Sequence, residues 1–421
     1  MDFALACVVK AIVVLMVAMV IIGAARAAMV HRTIQSDDGD VIDCVDMYHQ
    51  PALIKRAPPE KNTEILQAKP RTSMKAMAAA ASASKPPGRH HHQTWRKHGR
   101  CPAGSVRILR NSSRAAVVPE VAEMARRASP FGRPAAIGGG NASFHLLTSM
   151  DTSNGKVEVA AAYATNGPYL GARADVPYWK VDVHPDEFSM NYLLIGNTLE
   201  DNYHGGRPPS TLTNQIAVGL VAWPSLFGDS LSRLFVYYTT DGGAKVNCFN
   251  LDCGGFRVKE NSPFALAAAW SNFDSQVGGE RHAVTVSIHR EPEGEKWWVS
   301  VMDQAIGYYP ESEFNTVFTE AVYVEMGGRV LDTRPGGKHT STPMGSGMLA
   351  GCGGARFAAT IMEYLGIASD GTLFNDPATS TVTTTPSCYG ATPLVTSKTR
   401  PGHYVAYGGP GGIYCDQADD I

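Results

Sequence analysis

The chain has 421 residues and a formal net charge of −2, from 37 basic and 39 acidic side chains. Nothing in this balance suggests bulk nucleic-acid binding. The length allows more than one domain with a sizeable core, and the 42 glycines and 26 prolines favour strands and turns over long helices.

The first residues have the pattern of a secretion signal. Lys10 precedes an apolar run from Ala11 to Ala25, and Ala25-Arg26-Ala27 supplies small residues for a signal peptidase. The pattern predicts a signal peptide over residues 1–27 and a secreted protein without membrane attachment after cleavage. The alternative is an uncleaved signal anchor, because the run is near the lower length for spanning a bilayer.

Cysteines and glycosylation sequences agree with an oxidising compartment. Eight cysteines are present. Removal of Cys7 with the signal peptide leaves seven, which suggests three disulfides and one free thiol. Asn111 and Asn141 each begin a glycosylation tripeptide, which has meaning only if the chain is secreted.

The region that follows the signal is divided by a segment of biased composition. Residues 71–100 read as a low-complexity linker, and they contain three adjacent histidines, His90, His91 and His92. Adjacent side chains on such a tract do not converge on one ion, so we interpret it as solvated. No metal site or cofactor is predicted elsewhere, because the other histidines lack ligand spacing and no nucleotide-binding motif is present.

Beyond about residue 150 the hydrophobic pattern changes to a period of two. His282–His289 alternates apolar with small or polar residues, and Ser232–Tyr238 and Trp297–Met302 do so less strictly. Glycine- and aspartate-containing turns separate these runs. Many short alternating strands predict an antiparallel sandwich or barrel.

Short motifs spread from Thr33 to Gly412 resemble one known family. They include the following runs: Asp40-Val41-Ile42-Asp43-Cys44-Val45-Asp46, Cys101-Pro102-Ala103-Gly104, Pro224-Ser225-Leu226-Phe227-Gly228-Asp229, Cys248-Phe249-Asn250-Leu251-Asp252-Cys253, Met344-Gly345-Ser346-Gly347 and Gly408-Gly409-Pro410-Gly411-Gly412. In this order they are similar to neprosin, the plant glutamic endopeptidases that cut after proline, and its relatives. The resemblance implies a two-sheet antiparallel β-sandwich over residues 150–421, preceded by an activation-peptide-like segment over residues 28–135.

The resemblance also implies a pairing of the cysteines. Cys44 would join Cys101, Cys248 would join Cys253, and Cys388 would join Cys415. Cys352 is then left over, and we expect a buried free thiol, with an intermolecular bridge as the alternative.

Two glutamates around one water carry the chemistry of a glutamic peptidase. One takes the proton of the water, and the other, protonated, polarises the scissile amide. The resemblance places these positions at Ala217 and Arg329, the latter directly after Gly327-Gly328. Alanine has no titratable proton, and arginine is charged at any relevant pH, so neither residue acts as a general acid or base here.

Nothing else in the sequence replaces the missing pair. Glu325 has the strand parity of Arg329 but lies about 13 Å away along a strand. Leu220 and Pro343 also differ from the family pattern, and together with Ala217 and Arg329 they suggest one altered site. We expect Arg329 to pair with a nearby acidic side chain or to extend to solvent, with a bound peptide carboxylate as the alternative.

The sequence therefore predicts a secreted, catalytically inactive relative of these peptidases that keeps a groove for a peptide or cell-wall ligand. Groove candidates are Trp298, Tyr308, Tyr309 and Arg329, although a core position is the simpler interpretation of any single aromatic. One alternative is an active proline-specific endopeptidase with a rearranged acid pair. The other is a structural extracellular module.

Overall fold

The computed structural model describes most of the chain beyond the signal region. The described residues are 29–54, 69–71, 74, 93–110, 131, 151–152, 155–200, 203, 209, 211–270, 274–336, 338–352, 356–376, 379–394 and 402–416. The predicted signal peptide, both glycosylation tripeptides and the three adjacent histidines lie outside them. Among the described helices, none has the length and hydropathy needed to cross a membrane.

A small N-terminal module consists of one antiparallel sheet in the order β1-β2-β3, with short helical turns beside it. Its elements are β1 (Val30–Gln35), β2 (Val41–Asp46), a 3-10 turn (Met47–His49), α1 (Pro51–Ile54), a second 3-10 turn (Thr94–His98) and β3 (Ser105–Leu109). The Cys44–Cys101 disulfide ties β2 to the loop before β3.

Two larger antiparallel sheets form the rest of the described structure. Sheet I contains β4 (Asp151–Thr152), β5 (Gly155–Ala164), β7 (Ser189–Asn197), β8 (Asn214–Ala222), β9 (Arg233–Thr239), β10 (Cys248–Phe249), β15 (Tyr323–Asp332) and β18 (Thr379–Thr383). Their order is β10-β9-β8-β7-β15-β5-β18, with β4 paired to β5.

Sheet II has nine strands. They are β6 (Gly171–Pro177), β11 (Arg257–Val258), β12 (Ala283–Arg290), β13 (Lys296–Val301), β14 (Gln304–Pro310), β16 (Ala359–Ile367), β17 (Leu373–Phe374), β19 (Gly390–Leu394) and β20 (His403–Gly408). The order is β11-β14-β13-β12-β6-β16-β20-β19, with β17 paired to β16. Helices α2 (Pro224–Phe227) and α3 (Ile413–Asp416) and a 3-10 turn (Glu311–Glu313) lie in the connections.

The main core lies between the two sheets. Alternate residues of β8, such as Ile216 and Val218, face inward and share one cluster with Val286 and Ile288 of β12. The strands have the period-two pattern that the sequence predicts, since one side chain in two must reach this core. The predicted all-β, two-sheet antiparallel sandwich is therefore confirmed.

A second apolar cluster covers the outer face of sheet I. Ile42 and Trp95 of the N-terminal module join Tyr192 and Ala217 of sheet I in this cluster. Both faces of sheet I are therefore buried, which explains why the strands of this sheet contain few exposed residues.

Three buried polar side chains attach the N-terminal module to the sandwich. Asp40 accepts hydrogen bonds from Arg233 Nη1 at 2.9 Å and from a backbone N–H of the sandwich. Gln50 bonds with the backbone N–H and carbonyl of Val258 in β11, and Gln93 bonds with those of Ala265 in the loop after β11. Because such bonds are made only in the docked state, they specify one position of the module on the sandwich.

The structure contains the three disulfides that the resemblance implies, Cys44–Cys101, Cys248–Cys253 and Cys388–Cys415. Cys352 is free, and the expectation that it would be buried is wrong, because it is exposed. It lies in the turn after Ala350, where the chain leaves the small cluster that Ala350 forms with Ala358 and Ala406.

Candidate functional site

Ala217 and Arg329, the two positions at which the resemblance places catalytic glutamates, lie on the same face of sheet I. β7 separates β8 from β15, and Leu194 of β7 is the register partner of both Ala217 and Glu325. Arg329 is opposite Met190, four residues further along β7. Alternate residues of neighbouring antiparallel strands share a face, so Ala217, Glu325 and Arg329 all point to the outer face of sheet I.

Arg329 reaches back along its own strand to Glu325. Its Nη2 donates to Glu325 Oε1 at 2.6 Å, and its side chain is almost entirely buried. The cation therefore ends in the row that contains Ala217, rather than above its own Cα. The sequence-based expectation that Arg329 finds a local acidic partner is met by Glu325.

Two tyrosines complete the coordination of the Glu325 carboxylate. The Tyr192 hydroxyl donates to Oε1 and also accepts a bond from Arg329 Nε at 3.0 Å. The Tyr323 hydroxyl donates to Oε2 at 2.7 Å. The carboxylate thus accepts bonds from three side chains, and both of its oxygens are engaged.

Small residues make room for this network. Tyr192 is the register partner of Gly219 on one side and Gly327 on the other. A Cβ added at Gly327 would lie 2.4 Å from the carbonyl oxygen of Ala160. Gly327 also stands between Glu325 and Arg329 on the same face, so the absence of a side chain there leaves a path for the guanidinium.

An aromatic ring from the N-terminal part of the chain covers the network. The centroid of the buried Phe131 ring lies 4.7 Å from the Arg329 guanidinium carbon. The same ring lies edge-on to Tyr192 and tilted against Tyr237, each at 4.9 Å between centroids. Arg329 is therefore held between an acidic partner in the sheet and aromatic faces above and beside it.

Electrostatics keep the network in one charge state. Burial acts to lower the pKa of the Arg329 guanidinium, but neighbouring Tyr192 and Glu325 outweigh it and raise that pKa above its ordinary range. Burial, with Glu325 adding to it, raises the pKa of the Tyr323 hydroxyl. At neutral pH Arg329 therefore carries its positive charge, and Tyr323 stays protonated and donates a hydrogen bond to Glu325.

Neither Ala217 nor Arg329 supplies a carboxyl group at the positions that the resemblance indicates. The position of one glutamate holds a methyl group, and that of the other holds a permanent cation. Glu325 is a single carboxylate locked to Arg329, so within the described part of this face there is no second carboxyl to share a proton with it.

A second group of buried carboxyls lies elsewhere in the sandwich. Glu158 and Glu187 accept hydrogen bonds from threonine hydroxyls, Glu158 from Thr384 and Thr385. Burial raises the pKa of Asp332, and the charges of Glu187 and Glu158 add to this effect. These three are the described carboxyls that come nearest to a coupled acid pair.

The three aromatic groove candidates do not belong to the Arg329 face. Trp298 and Tyr308 are buried neighbours on β13 and β14 of sheet II, with their rings 4.9 Å apart. Tyr309 packs between the sheets against Tyr238. Their assignment to a groove with Arg329 is not supported, because β13 and β14 pair into the opposite sheet.

Leu220 and Pro343 also lie apart from the altered pair. Leu220 is an odd number of residues from Ala217, so it points to the opposite face and joins the inter-sheet core. The Pro343 carbonyl accepts a bond from Ser189, which likewise has the opposite parity to Met190. The interpretation of four departures as one site is wrong, and two remain, Ala217 and Arg329.

The sequence reasoning missed three residues of the network. Tyr323 has the parity of Glu325 on the same strand, and this signal was available. Tyr192 and Phe131 are brought to Arg329 by strand pairing and by packing of the N-terminal part, for which no local pattern exists.

Among the described residues, one cluster has its possible metal-ligating atoms close together: His339, Cys388 and Cys415. The two cysteine sulfurs of this cluster already form a disulfide.

Comparison with solved structures finds low-identity similarity to peptidases and a lectin. A scytalido-glutamic peptidase with a peptide-based transition-state analogue matches at 8% identity and a TM-score of 0.31, covering 60% of this chain and 97% of that one. A member of the eqolisin family of peptidases in complex with a tripeptide matches at 7% identity and a TM-score of 0.31, covering 60% and 96%. A homodimeric agglutinin from chicken liver matches at 13% identity and a TM-score of 0.20, covering 41% and 91%.

Two family models match the chain, one after the other. The model of the neprosin activation peptide matches residues 33–134, and the model of the neprosin domain matches residues 185–410, which is more than half of the chain. The buried Phe131 therefore comes from the activation-peptide part, and the face that it covers comes from the neprosin domain. The chain belongs to the neprosin family, and its sandwich is a peptidase-family scaffold.

Proposed function

We propose that this protein is a secreted neprosin-family member without peptidase activity, which keeps a site for a peptide or cell-wall ligand on the outer face of sheet I. The observation that carries the proposal is the Arg329–Glu325 ion pair opposite Ala217. Where a peptidase of this type needs two carboxyls that share a proton, this chain has a closed ion pair and a methyl group.

The expected loss of catalytic rate without the two glutamates supports inactivity. Removal of one general acid or base typically lowers a rate by roughly 10²–10⁴-fold, and two such losses leave only binding and electrostatics. A water beside Glu325 would also compete with the Tyr192, Tyr323 and Arg329 donors for the carboxylate.

The N-terminal part supports a further element of the proposal. In relatives of the family the activation peptide is removed to open the groove, and an inactive member cannot remove its own. Asp40, Gln50 and Gln93 hold the module by buried hydrogen bonds, and Phe131 covers Arg329. We therefore propose that the segment stays attached unless another protease cuts it, and that a ligand reaches the site by displacing Phe131.

The experiment compares the secreted protein with a restored variant. Both are incubated with a proline-containing peptide from acid to neutral pH, and the variant combines Ala217→Glu with Arg329→Glu. The proposal expects cleavage only by the variant after removal of the N-terminal part. Cleavage by the unmodified protein would overturn inactivity. Binding to peptide and wall-glycan arrays, before and after Phe131→Ala, tests the retained site against a purely structural module.

A rearranged acid pair is the alternative that a specific observation favours. Glu158, Glu187 and Asp332 are buried close enough to affect one another electrostatically. An active enzyme of this kind would lose cleavage in Glu187→Gln and keep it in Glu325→Gln. The hydrogen bonds from threonine hydroxyls to Glu158 and Glu187 are the reason that we favour a structural role for this cluster.

A further inference from the structure

A cavity of about 680 Å³ lies where the N-terminal module meets a loop of the sandwich. The 3-10 turn Thr94–His98 and the residues beside it up to Cys101 supply most of its wall, and Arg107 of β3, Asn261 and Pro263 supply the rest. Trp95 contributes its indole ring, and Cys101 anchors the wall through its disulfide to Cys44. None of the lining residues belongs to the Arg329 network, and the cavity has no role in the proposal about peptide cleavage.

The wall of the cavity is strongly basic. Arg96, Lys97, Arg100 and Arg107 line it, and no acidic side chain is among the described lining residues. The nearest acids are already engaged: Asp37 contacts His98 at 2.7 Å, and Glu260 accepts a bond from the backbone of Gly104 at 2.6 Å. Like charges confined in this way raise the local concentration of anions.

Arg107 is the residue that most directly suggests a ligand. It sits in the middle of β3 opposite Cys44, and only 7% of its surface is exposed. Its Nε and Nη1 are buried and form no hydrogen bond within the described structure. Its guanidinium carbon lies 5.9 Å from the centroid of the Trp95 ring. Buried guanidinium donors without acceptors are costly, so a group that supplies acceptors would be bound favourably.

The positive charges around Arg107 also favour a bound anion. Burial lowers the pKa of the Arg107 guanidinium, and the neighbouring Arg96 and Arg100 lower it further, against a smaller opposing effect of Glu260. An anion between these cations would remove both the desolvation cost and the repulsion. The planar fork of a guanidinium matches two oxygens of a phosphate, sulfate or carboxylate.

We propose that this cavity binds a small organic molecule through an oxyanion group, with Arg107 as the buried anchor and Arg100 at the entrance. The cavity exceeds the size of one inorganic oxyanion and falls in the range of small-molecule sites, so the ligand carries the anion on a larger body. Trp95 beside Arg107 offers a flat apolar surface for that body.

The test measures binding to the full secreted protein by titration calorimetry at low ionic strength. The probes are inorganic phosphate, inorganic sulfate and glucuronate, with glucose as the neutral control. We expect the charged probes to bind and glucose not to bind. Tighter binding of glucuronate than of the inorganic ions indicates a carboxylated sugar, whereas the reverse order indicates a phosphate or sulfate ester.

Three variants locate the site. Arg107→Gln should weaken binding by about 10- to 100-fold, as expected for loss of charge-assisted hydrogen bonds. Arg100→Gln, which changes an exposed residue, should weaken it several-fold and decides the matter if the Arg107 variant does not fold. Arg356→Gln, an exposed arginine that does not line the cavity, should have no effect. The proposal is overturned if no charged probe binds at millimolar concentration, or if the Arg100 and Arg107 variants bind as the unmodified protein does.

Discussion

Arg329 and Arg107 are both buried arginines on central strand positions, and their surroundings are opposite in kind. Arg329 has a carboxylate, a tyrosine hydroxyl and two aromatic rings. Arg107 has one indole ring and two buried nitrogens without a described hydrogen-bond partner. A satisfied buried cation stabilises the structure in which it is found, whereas an unsatisfied one gains from a ligand.

The sequence suggests Arg329 as the arginine that binds a ligand, whereas the structure favours Arg107. The resemblance places Arg329 at a catalytic position and makes it a candidate binding group, yet its charge is neutralised within its own sheet. Arg107 lies in the activation-peptide part, where the sequence predicts no chemistry. Its burial follows from the pairing of β3 with β2 and from the docking of the module, and neither is visible as a local pattern.

The largest expected effect comes from removing the partner of Arg329. Glu325→Gln leaves a buried, uncompensated cation, and the free energy of unfolding should fall by about 3–5 kcal/mol. Urea denaturation of the full chain measures this value. Glu311→Gln is the control, because Glu311 pairs with Arg290 nearer the surface and its loss should cost about 1 kcal/mol or less.

The variants Glu325→Gln and Glu311→Gln also test whether Glu325 is the main partner of Arg329. A loss for Glu325→Gln no larger than for Glu311→Gln would mean that Arg329 is not satisfied chiefly by Glu325. Replacement of the ion pair by apolar residues, Glu325→Leu with Arg329→Met, should recover most of the lost stability, because no charge is then stranded.

His289 provides a case between the two arginines. It is buried on β12, and neither ring nitrogen has a hydrogen-bond partner in the described structure. Unlike arginine, it can remain neutral, and burial lowers the pKa of His289 to about 4. An unsatisfied histidine is therefore tolerated above this pH without a ligand.

Acid should expose the cost of burying His289. Between an unfolded pKa of 6.5 and a folded pKa of about 4, the unfolded state binds more protons, so stability falls as the pH falls through this window. The loss for this residue should approach about 3 kcal/mol below the window. Denaturation curves at several pH values should show a smaller acid loss for His289→Gln. His49→Gln, at a half-exposed position, serves as control, and equal acid losses in both variants would contradict the prediction.

Sequence reasoning succeeds where the determinant is local and fails where it is a long-range pairing. Alternation predicts the sandwich, and parity alone places Glu325 and Arg329 on one face. The same alternation along β8 puts Leu220 on the opposite face from Ala217, so Leu220 was predictable as a residue of the inter-sheet core. Assigning Trp298, Tyr308 and Tyr309 requires knowing that β13 pairs with β12, and β14 with β13, in sheet II, which the sequence does not specify.

Glu325 and Arg329 are separated along the backbone but joined through their side chains. Four residues separate the Cα atoms by about 13 Å on a strand. An arginine and a glutamate that lean toward each other over Gly327 nevertheless meet, with 2.6 Å between Nη2 and Oε1. Long side chains on one face can therefore couple positions that strand geometry separates.

The smallest expected effect concerns Arg107 and distinguishes it most directly from Arg329. Arg107→Met removes unsatisfied donors and keeps contact with Trp95, so stability without ligand should change by less than about 1 kcal/mol or increase. Arg329→Met, in contrast, strands Glu325 and should cost several times as much. Urea denaturation of both variants measures the difference. A large loss for Arg107→Met would show that its cation stabilises the fold itself, and the contrast between the two arginines would no longer hold.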